Sequence, residues 1–413
     1  MPSRSDITYF GAGPALLPTD VLEDAAQALI NFKDTGLGIA EHSHRSEIAT
    51  TIIQEAKADL AAYLEIPDDY EILFMQGGGS GEFSAMAYNF VGAWVARKQA
   101  ALGAGTDGSA AEALKAAVKD LKIDYIVTGG WSQKASAEGE RLFGAEHVNI
   151  VADGRTTTGG KYGVIPDEST WNLSKDAAMV YYCDNETVHG VEFSGFPQSL
   201  EPGPDGPFVV ADMSSNILSR TIPIKNYSAI FFGAQKNLGC TGITVVIIKK
   251  SLLRQPSAEL MRELALPIPP RIFEFETIAK NNSLYNTLSI FDVYIAGRVL
   301  KKLLREFPDK VQGQEAVSAN KAQLLYGALE AYPDVYKIIP DKTVRSRMNI
   351  CFRIEGGDAA EEAFLKQGAA LGLTGLKGHR DLRGIRASNY NSVSVDGAEK
   401  LARFIGAFAS KRQ

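Results

Sequence analysis

From about residue 63 to 248 the chain alternates short apolar runs with longer stretches whose apolar positions recur at three- and four-residue spacing. The run at 71–75 (EILFM) reads as a buried strand; a glycine turn follows, then a periodic stretch at 82–96 that predicts a helix. A strand at 125–128 leads into a helical segment at 132–143, and apolar runs at 148–151, 178–183, 208–211, 229–232 and 243–248 complete the series. Strands alternating with helices predict an α/β layer fold with a mostly parallel sheet, in which ligands gather at the carboxyl ends of strands. Beyond about Pro270 the pattern changes. Helices are predicted at 284–307, stopped near Pro308, and at 314–331; a strand follows at 348–354 and a helix at 359–371. A closing helix at 396–410 spaces Leu401, Phe404, Ile405 and Phe408 along one face, so this part reads as a smaller α+β domain. The Ala-, Gly- and Ser-rich stretch at 96–120 reads as a solvated surface excursion.

Composition narrows the class. The chain has 413 residues, 45% hydrophobic and 22% charged, with a formal charge of −6. A chain of that length buries a large core without disulfides or metals, and a weakly acidic one is not built to coat nucleic acid or an anionic membrane. No run reaches the ~18–20 apolar residues of a membrane span. The charged opening residues 1–9 do not read as a signal peptide. Three widely spaced cysteines, Cys183, Cys240 and Cys351, contain no CxxC pair. They argue against a disulfide framework or a zinc site, and for a reducing cytoplasm.

Three turns after predicted strands carry candidate chemistry. Gln76-Gly77-Gly78-Gly79-Ser80-Gly81 lies between a strand and a helix, where backbone N–H groups and the helix dipole suit an anion. It lacks a P-loop lysine and the GxGxxG spacing, which argues against a nicotinamide dehydrogenase, and alone it is equally a ligand-free turn. Ala211-Asp212-Met213-Ser214-Ser215 puts a carboxylate at a strand end, as a helix cap or as the counter-ion of a protonated ring nitrogen. Gly233-Ala234-Gln235-Lys236-Asn237 puts a lysine between two apolar strands, either solvated or desolvated and nucleophilic. Asp212 and Lys236 on successive strand ends together point toward a pyridoxal phosphate site.

With these turns in place, the chain resembles the phosphoserine aminotransferases, fold type I pyridoxal phosphate enzymes, over almost its whole length. The matching pieces run in order through Gly11-Ala12-Gly13-Pro14, Ser43-His44-Arg45-Ser46, the glycine turn, Trp131, Asn185-Glu186-Thr187, and the Asp212 and Lys236 turns. They continue through Ser283-Leu284-Tyr285-Asn286-Thr287, Lys377-Gly378-His379-Arg380 and Arg386-Ala387-Ser388. The resemblance implies a large cofactor-binding domain at 15–285 with a seven-stranded sheet, and a small domain at 286–413 joined by the arm 1–14. It assigns Lys236 as the Schiff-base lysine and Asp212 as the partner of the pyridine nitrogen. Trp131 would stack on the ring, Thr187 would bond near its phenolic oxygen, and Gly79, Ser80 and Gln235 would hold the phosphate. Asn286 and Thr287 would reach that phosphate from a second subunit, implying a homodimer with shared sites.

The implied reaction moves an amino group between glutamate and 3-phosphohydroxypyruvate. Both are dianionic small molecules, and Arg suits bidentate recognition of carboxylate and phosphate. The resemblance gives Arg386 the α-carboxylate. It gives His379 and Arg380, with His44 and Arg45 of the second subunit, the distal anion. No metal is implied, because His42 and His44 lack further ligands. The chain departs from many relatives at Ser80, where some carry Arg, at Leu288 and Ser289, where two prolines are common, and at Arg383, which would add a positive charge near the distal anion. Two other readings stay open at this stage: a fold type I aminotransferase of different specificity, and a non-catalytic binder of phosphorylated metabolites.

Overall fold

The computed structural model describes residues 2–102, 109–203 and 206–412. Its main sheet has seven strands: β1 (Tyr70–Met75), β2 (Ile123–Val127), β3 (Val148–Asp153), β4 (Val180–Cys183), β5 (Val209–Asp212), β6 (Ala229–Gly233) and β7 (Thr244–Lys249). Their order across the sheet is β1-β7-β6-β5-β4-β2-β3. The pairs from β6 through β5, β4 and β2 to β3 are parallel, and β7 runs antiparallel to both neighbours. Alternate side chains of one strand point to opposite faces. Accordingly Phe74, Ile230, Phe232, Val245 and Ile247 enter one core with the helices Glu47–Leu64 and Ile290–Glu306. Leu73, Met75, Phe231, Val246 and Ile248 enter the other, under Gly78–Leu102 and Gly130–Phe143. Burial on both faces is why these strands read as unbroken apolar runs.

A second, three-stranded antiparallel sheet is built from β8 (Tyr336–Ile338), β9 (Asn349–Ile354) and β10 (Ile385–Ser388). The helices Val311–Glu330, Gly357–Ala370 and Val395–Ser410 cover it, and Leu325, Phe352, Phe364, Leu401 and Ile405 form its core. The N-terminal arm is tied here, with Thr8 and Tyr9 pairing with Leu373 and Thr374 and Phe10 buried in the same core. Among the described residues no helix is long and apolar enough to cross a membrane.

Three local expectations change. The helix expected over 284–307 begins at Ile290, because Ser289 holds extended backbone (φ −71°, ψ 91°) that a right-handed helix cannot run through. Although it was expected in the smaller unit, Val293, Ala296, Leu300 and Leu303 place that helix in the larger core. The 96–120 stretch is no simple solvated excursion. The helix of the glycine turn continues to Leu102, and in the helix Ser109–Val118 both Leu114 and Val118 are buried. Residues 103–108 of that stretch lie outside the described residues.

Candidate active site

Five strand ends converge on one cavity of about 210 Å³, lined by Gly77–Ser80 after β1, Trp131 after β2, and Cys183 at the end of β4 with Asn185 and Thr187 beyond it. Asp212 at the end of β5 with Ser214 and Ser215 beyond it, and Gln235 and Lys236 after β6, complete the lining.

At the glycine turn the backbone takes φ of 130° at Gly77 and 63° at Gly78, and the helix starts at once. First-turn amides of a helix have no intrahelical partner and carry the positive end of its dipole. A Cβ built on Gly78 or Gly79 meets nothing within 4 Å, so space for an anion opens above those amides. Asp212 ends β5 almost fully buried. One carboxylate oxygen accepts from the Ser214 N–H at 2.8 Å. Burial raises its pKa, while the Ser214 bond and the Lys236 charge act against that rise.

Lys236 Nζ donates to Thr187 Oγ1 at 2.8 Å and lies 5.9 Å from the centre of the Trp131 ring. The arm passes beside it: a Cβ on Gly13 would sit 3.4 Å from Lys236 Cγ, and the Ala15 N–H bonds the Gln235 carbonyl at 2.8 Å. The backbone at Trp131 is held by Glu186. That fully buried carboxylate accepts from the Trp131 N–H at 2.9 Å, the Ser132 N–H at 2.8 Å and Ser132 Oγ at 2.6 Å. It caps the helix Gly130–Phe143 from outside its own segment, and its close approach requires Gly129, where a Cβ would fall 2.4 Å from Glu186 Cδ. The Trp131 indole N–H is buried without a hydrogen-bond partner among the described residues.

A basic group lies on the smaller sheet and the loop before it. Arg386 sits on β10, and its backbone N–H bonds the Leu376 carbonyl at 2.8 Å. His379 lies 3.2 Å from Asp381 Oδ2. Burial lowers the His379 pKa, Asp381 opposes, and the charges of Arg386, Lys134 and Arg380 lower it further. The Arg383 guanidinium pairs with Asp358 at 2.8 Å.

The cavity therefore brings together Gly79, Ser80, Trp131, Thr187, Asp212, Gln235 and Lys236 of the expected residues. Arg386, His379 and Arg380 stand outside its lining, as do His44 and Arg45, which precede the helix Glu47–Leu64, and Asn286 and Thr287. Asn286 Nδ2 donates to Gln76 Oε1 at 2.5 Å, at the edge of the glycine turn. Cys183, Asn185, Ser214 and Ser215 line the cavity without an expected role; their signal was their position at or just beyond a strand end.

A phosphate-sized space at a helix N-terminus, an amine and a buried carboxylate facing one cavity, and a flat aromatic wall together fit pyridoxal phosphate. The aminotransferase class-V model matches residues 7–126 and 110–395. Phosphoserine aminotransferase of Saccharomyces cerevisiae is 43% identical over 416 aligned positions, covering 99% of this chain and 98% of the yeast protein. The chain belongs to the phosphoserine aminotransferase family. Another member, from Bacillus circulans subsp. alkalophilus, superposes with a TM-score of 0.83 at 32% identity, covering 98% of this chain and 99% of that one. The PLP-bound phosphoserine aminotransferase of Trichomonas vaginalis gives a TM-score of 0.81 at 32% identity, over 97% and 99% of the two chains.

Proposed function

We propose that this chain is a pyridoxal phosphate-dependent transaminase that moves the amino group of glutamate to 3-phosphohydroxypyruvate, giving 2-oxoglutarate and O-phosphoserine in serine biosynthesis. The observation that carries the reading is the single cavity faced by the Lys236 amine, the Asp212 carboxylate and the Trp131 ring, with the glycine turn opening into it. Full-length similarity to the yeast and bacterial enzymes supports the substrate pair.

Pyridoxal phosphate, when bound, supplies a carbonyl carbon for the amino group and a ring that takes up the electrons left by Cα deprotonation. The amides at Gly79 and Ser80, with Gln235, would hold its phosphate. Asp212 would keep a proton on the ring nitrogen, and the Ser214 N–H fixes the orientation of that carboxylate. Thr187 would bond the ring's phenolic oxygen, and Trp131 would stack on the ring. Lys236 Nζ would move the proton at the substrate Cα. Arg386 pairs with the α-carboxylate common to both substrates. His379 and Arg380 receive the distal phosphate or γ-carboxylate, with His44 and Arg45 of a second copy.

The assembly in this reading is a homodimer in the cytoplasm, each copy lending Asn286 and Thr287 to the other's phosphate. The exposed apolar side chains Leu29, Ile30 and Leu37, just ahead of His44, give such a partner a surface, and Ile30 is 72% exposed. The division into a cofactor domain at 15–285 and a small domain with the arm is part of the same proposal, with the helix Ile290–Glu306 now counted with the larger unit.

The deciding measurement is the visible absorption of the purified holoenzyme before and after O-phosphoserine is added without a keto acid. The yellow band should fall as a pyridoxamine-type band grows. A yellow band that persists would overturn the substrate assignment while keeping the cofactor. Failure to bind pyridoxal phosphate at all would favour a non-catalytic binder.

A further inference from the structure

The helix Val311–Glu330 carries a lysine in its buried face. Lys321 is 0% exposed, and no carboxylate lies within ion-pair range of it among the described residues. An ammonium has three donors, and here they meet three backbone carbonyls: Val393 at 2.7 Å, Tyr390 at 2.8 Å and Asn389 at 3.4 Å. A buried cation without a counter-charge is costly, and a Leu or Met at this place would bury without that cost. Burial holds the Lys321 pKa down near 7. What the lysine supplies that a hydrophobe does not is a fixed geometry for the loop 389–393.

That loop is where the substrate arginine and the catalytic lysine are joined. It leaves β10 three residues after Arg386. Its Asn391 N–H donates to Asn237 Oδ1 at 3.0 Å, directly beside Lys236, and Asn391 Nδ2 donates to the Leu218 carbonyl at 2.8 Å. The Tyr390 hydroxyl donates to the Ala12 carbonyl at 3.0 Å, on the arm that passes Lys236, and accepts from Asn349 Nδ2 at 3.3 Å. Asn349 in turn accepts from Asn185 Nδ2 at 2.7 Å, in the wall of the cavity.

Resting on the transaminase reading above, we propose that Lys321 is a positioning residue: by gripping the carbonyls of Asn389, Tyr390 and Val393 it sets the placement of Arg386 relative to Lys236. It touches neither substrate nor cofactor and acts through the loop.

The test is steady-state kinetics of Lys321→Met, which keeps the length of the side chain and removes its donors. The variant should still bind pyridoxal phosphate and show the wild-type visible band. Its KM for glutamate and its KM for 3-phosphohydroxypyruvate should rise together, by about ten- to a hundredfold, because Arg386 meets the carboxylate that both share. Lys321→Gln, which retains two donors, should recover part of that loss, and it carries the test if the Met variant does not fold. A folded variant with a lowered Tm and both KM values unchanged would overturn the proposal and leave Lys321 a purely structural strut. Wild-type turnover is the control that separates the two claims. Unchanged KM values beside an active wild type overturn this inference alone, whereas an inactive wild type overturns the substrate reading with it.

Discussion

Glu82 lies just inside the helix that starts at the glycine turn, fully buried, and neither carboxyl oxygen has a hydrogen-bond partner among the described residues. Burial, with the charge of Asp212 adding to it, pushes its pKa up to about 8. Unfolded, the same group titrates near 4.5. Between those values the folded protein binds the extra proton, so this contribution to stability is full below about pH 4.5 and is lost as pH rises through 8. Glu82→Gln, neutral at every pH, removes the loss. The Tm curves of the two proteins should nearly meet at pH 5 and separate toward pH 9, with the variant more stable by a few kcal/mol. Parallel curves across that range would show that the folded carboxyl is ionised at neutral pH. In the sequence Glu82 looks like any solvated charge at the start of a helix. What sets it apart is its full burial beside the charge of Asp212, and burial has no local signature.

The helix Gly130–Phe143 is short of its own cap. Its N-cap residue is Gly129, which has no side chain to offer, and Glu186 from beyond β4 takes that role. Removing a buried acceptor strands its donors at about 1–3 kcal/mol. Glu186→Ala should therefore lower stability by about that amount and loosen Trp131, whose N–H is one of the donors. Thermal unfolding reads the first effect, and a weaker apparent affinity for pyridoxal phosphate in a titration of the visible band reads the second. Unchanged affinity would show that Trp131 holds its place without the cap. The same element shows where the sequence was legible. Strands buried on both faces give continuous apolar runs, so β1, β4, β5 and β6 and the polar residues just after them could be read directly, Asp212 and Lys236 included. Helix starts were less legible. Leu284 continues the apolar spacing of the helix that follows, yet the extended backbone at Ser289 starts the helix only at Ile290. Glu186 could not be assigned as a cap, because cap and helix belong to different strand ends.

At the scale of the molecule, a largely buried charge network runs between the two sheets. Arg220 pairs with Asp184 at 2.5 Å and lies 3.6 Å from Glu192. Glu192 also meets Arg347 at 3.3 Å, on the segment that leads into β9, and Arg347 reaches Glu315 at 3.2 Å on the helix Val311–Glu330. Asp184 is linked directly to the site, since its backbone N–H bonds the Asp212 carbonyl at 2.9 Å. No two of the five are sequence neighbours, so neither spacing nor periodicity could reveal the network. Of its members, Asp184, Glu192 and Arg220 are almost completely buried. Taking one partner out of a buried pair leaves an uncompensated charge, at about 3–5 kcal/mol. Arg220→Met leaves Asp184 buried with no cationic partner among the described residues and Glu192 with Arg347 as its remaining one, the Asn216 amide bonding both. It should lower the denaturation midpoint by a loss in that range, about 3–5 kcal/mol. Arg347 is partly exposed, so Arg347→Met should cost less, yet it cuts the link between the sheets. Because Arg386 rides on the smaller sheet and Lys236 on the larger, Arg347→Met should raise KM for both substrates more than its modest loss of stability suggests. Steady-state kinetics beside urea unfolding of both variants gives the answer. If Arg347→Met loses stability with both KM values at wild type, the network fixes the fold and the relative placement of the sheets rests on the loop at Asn391 instead.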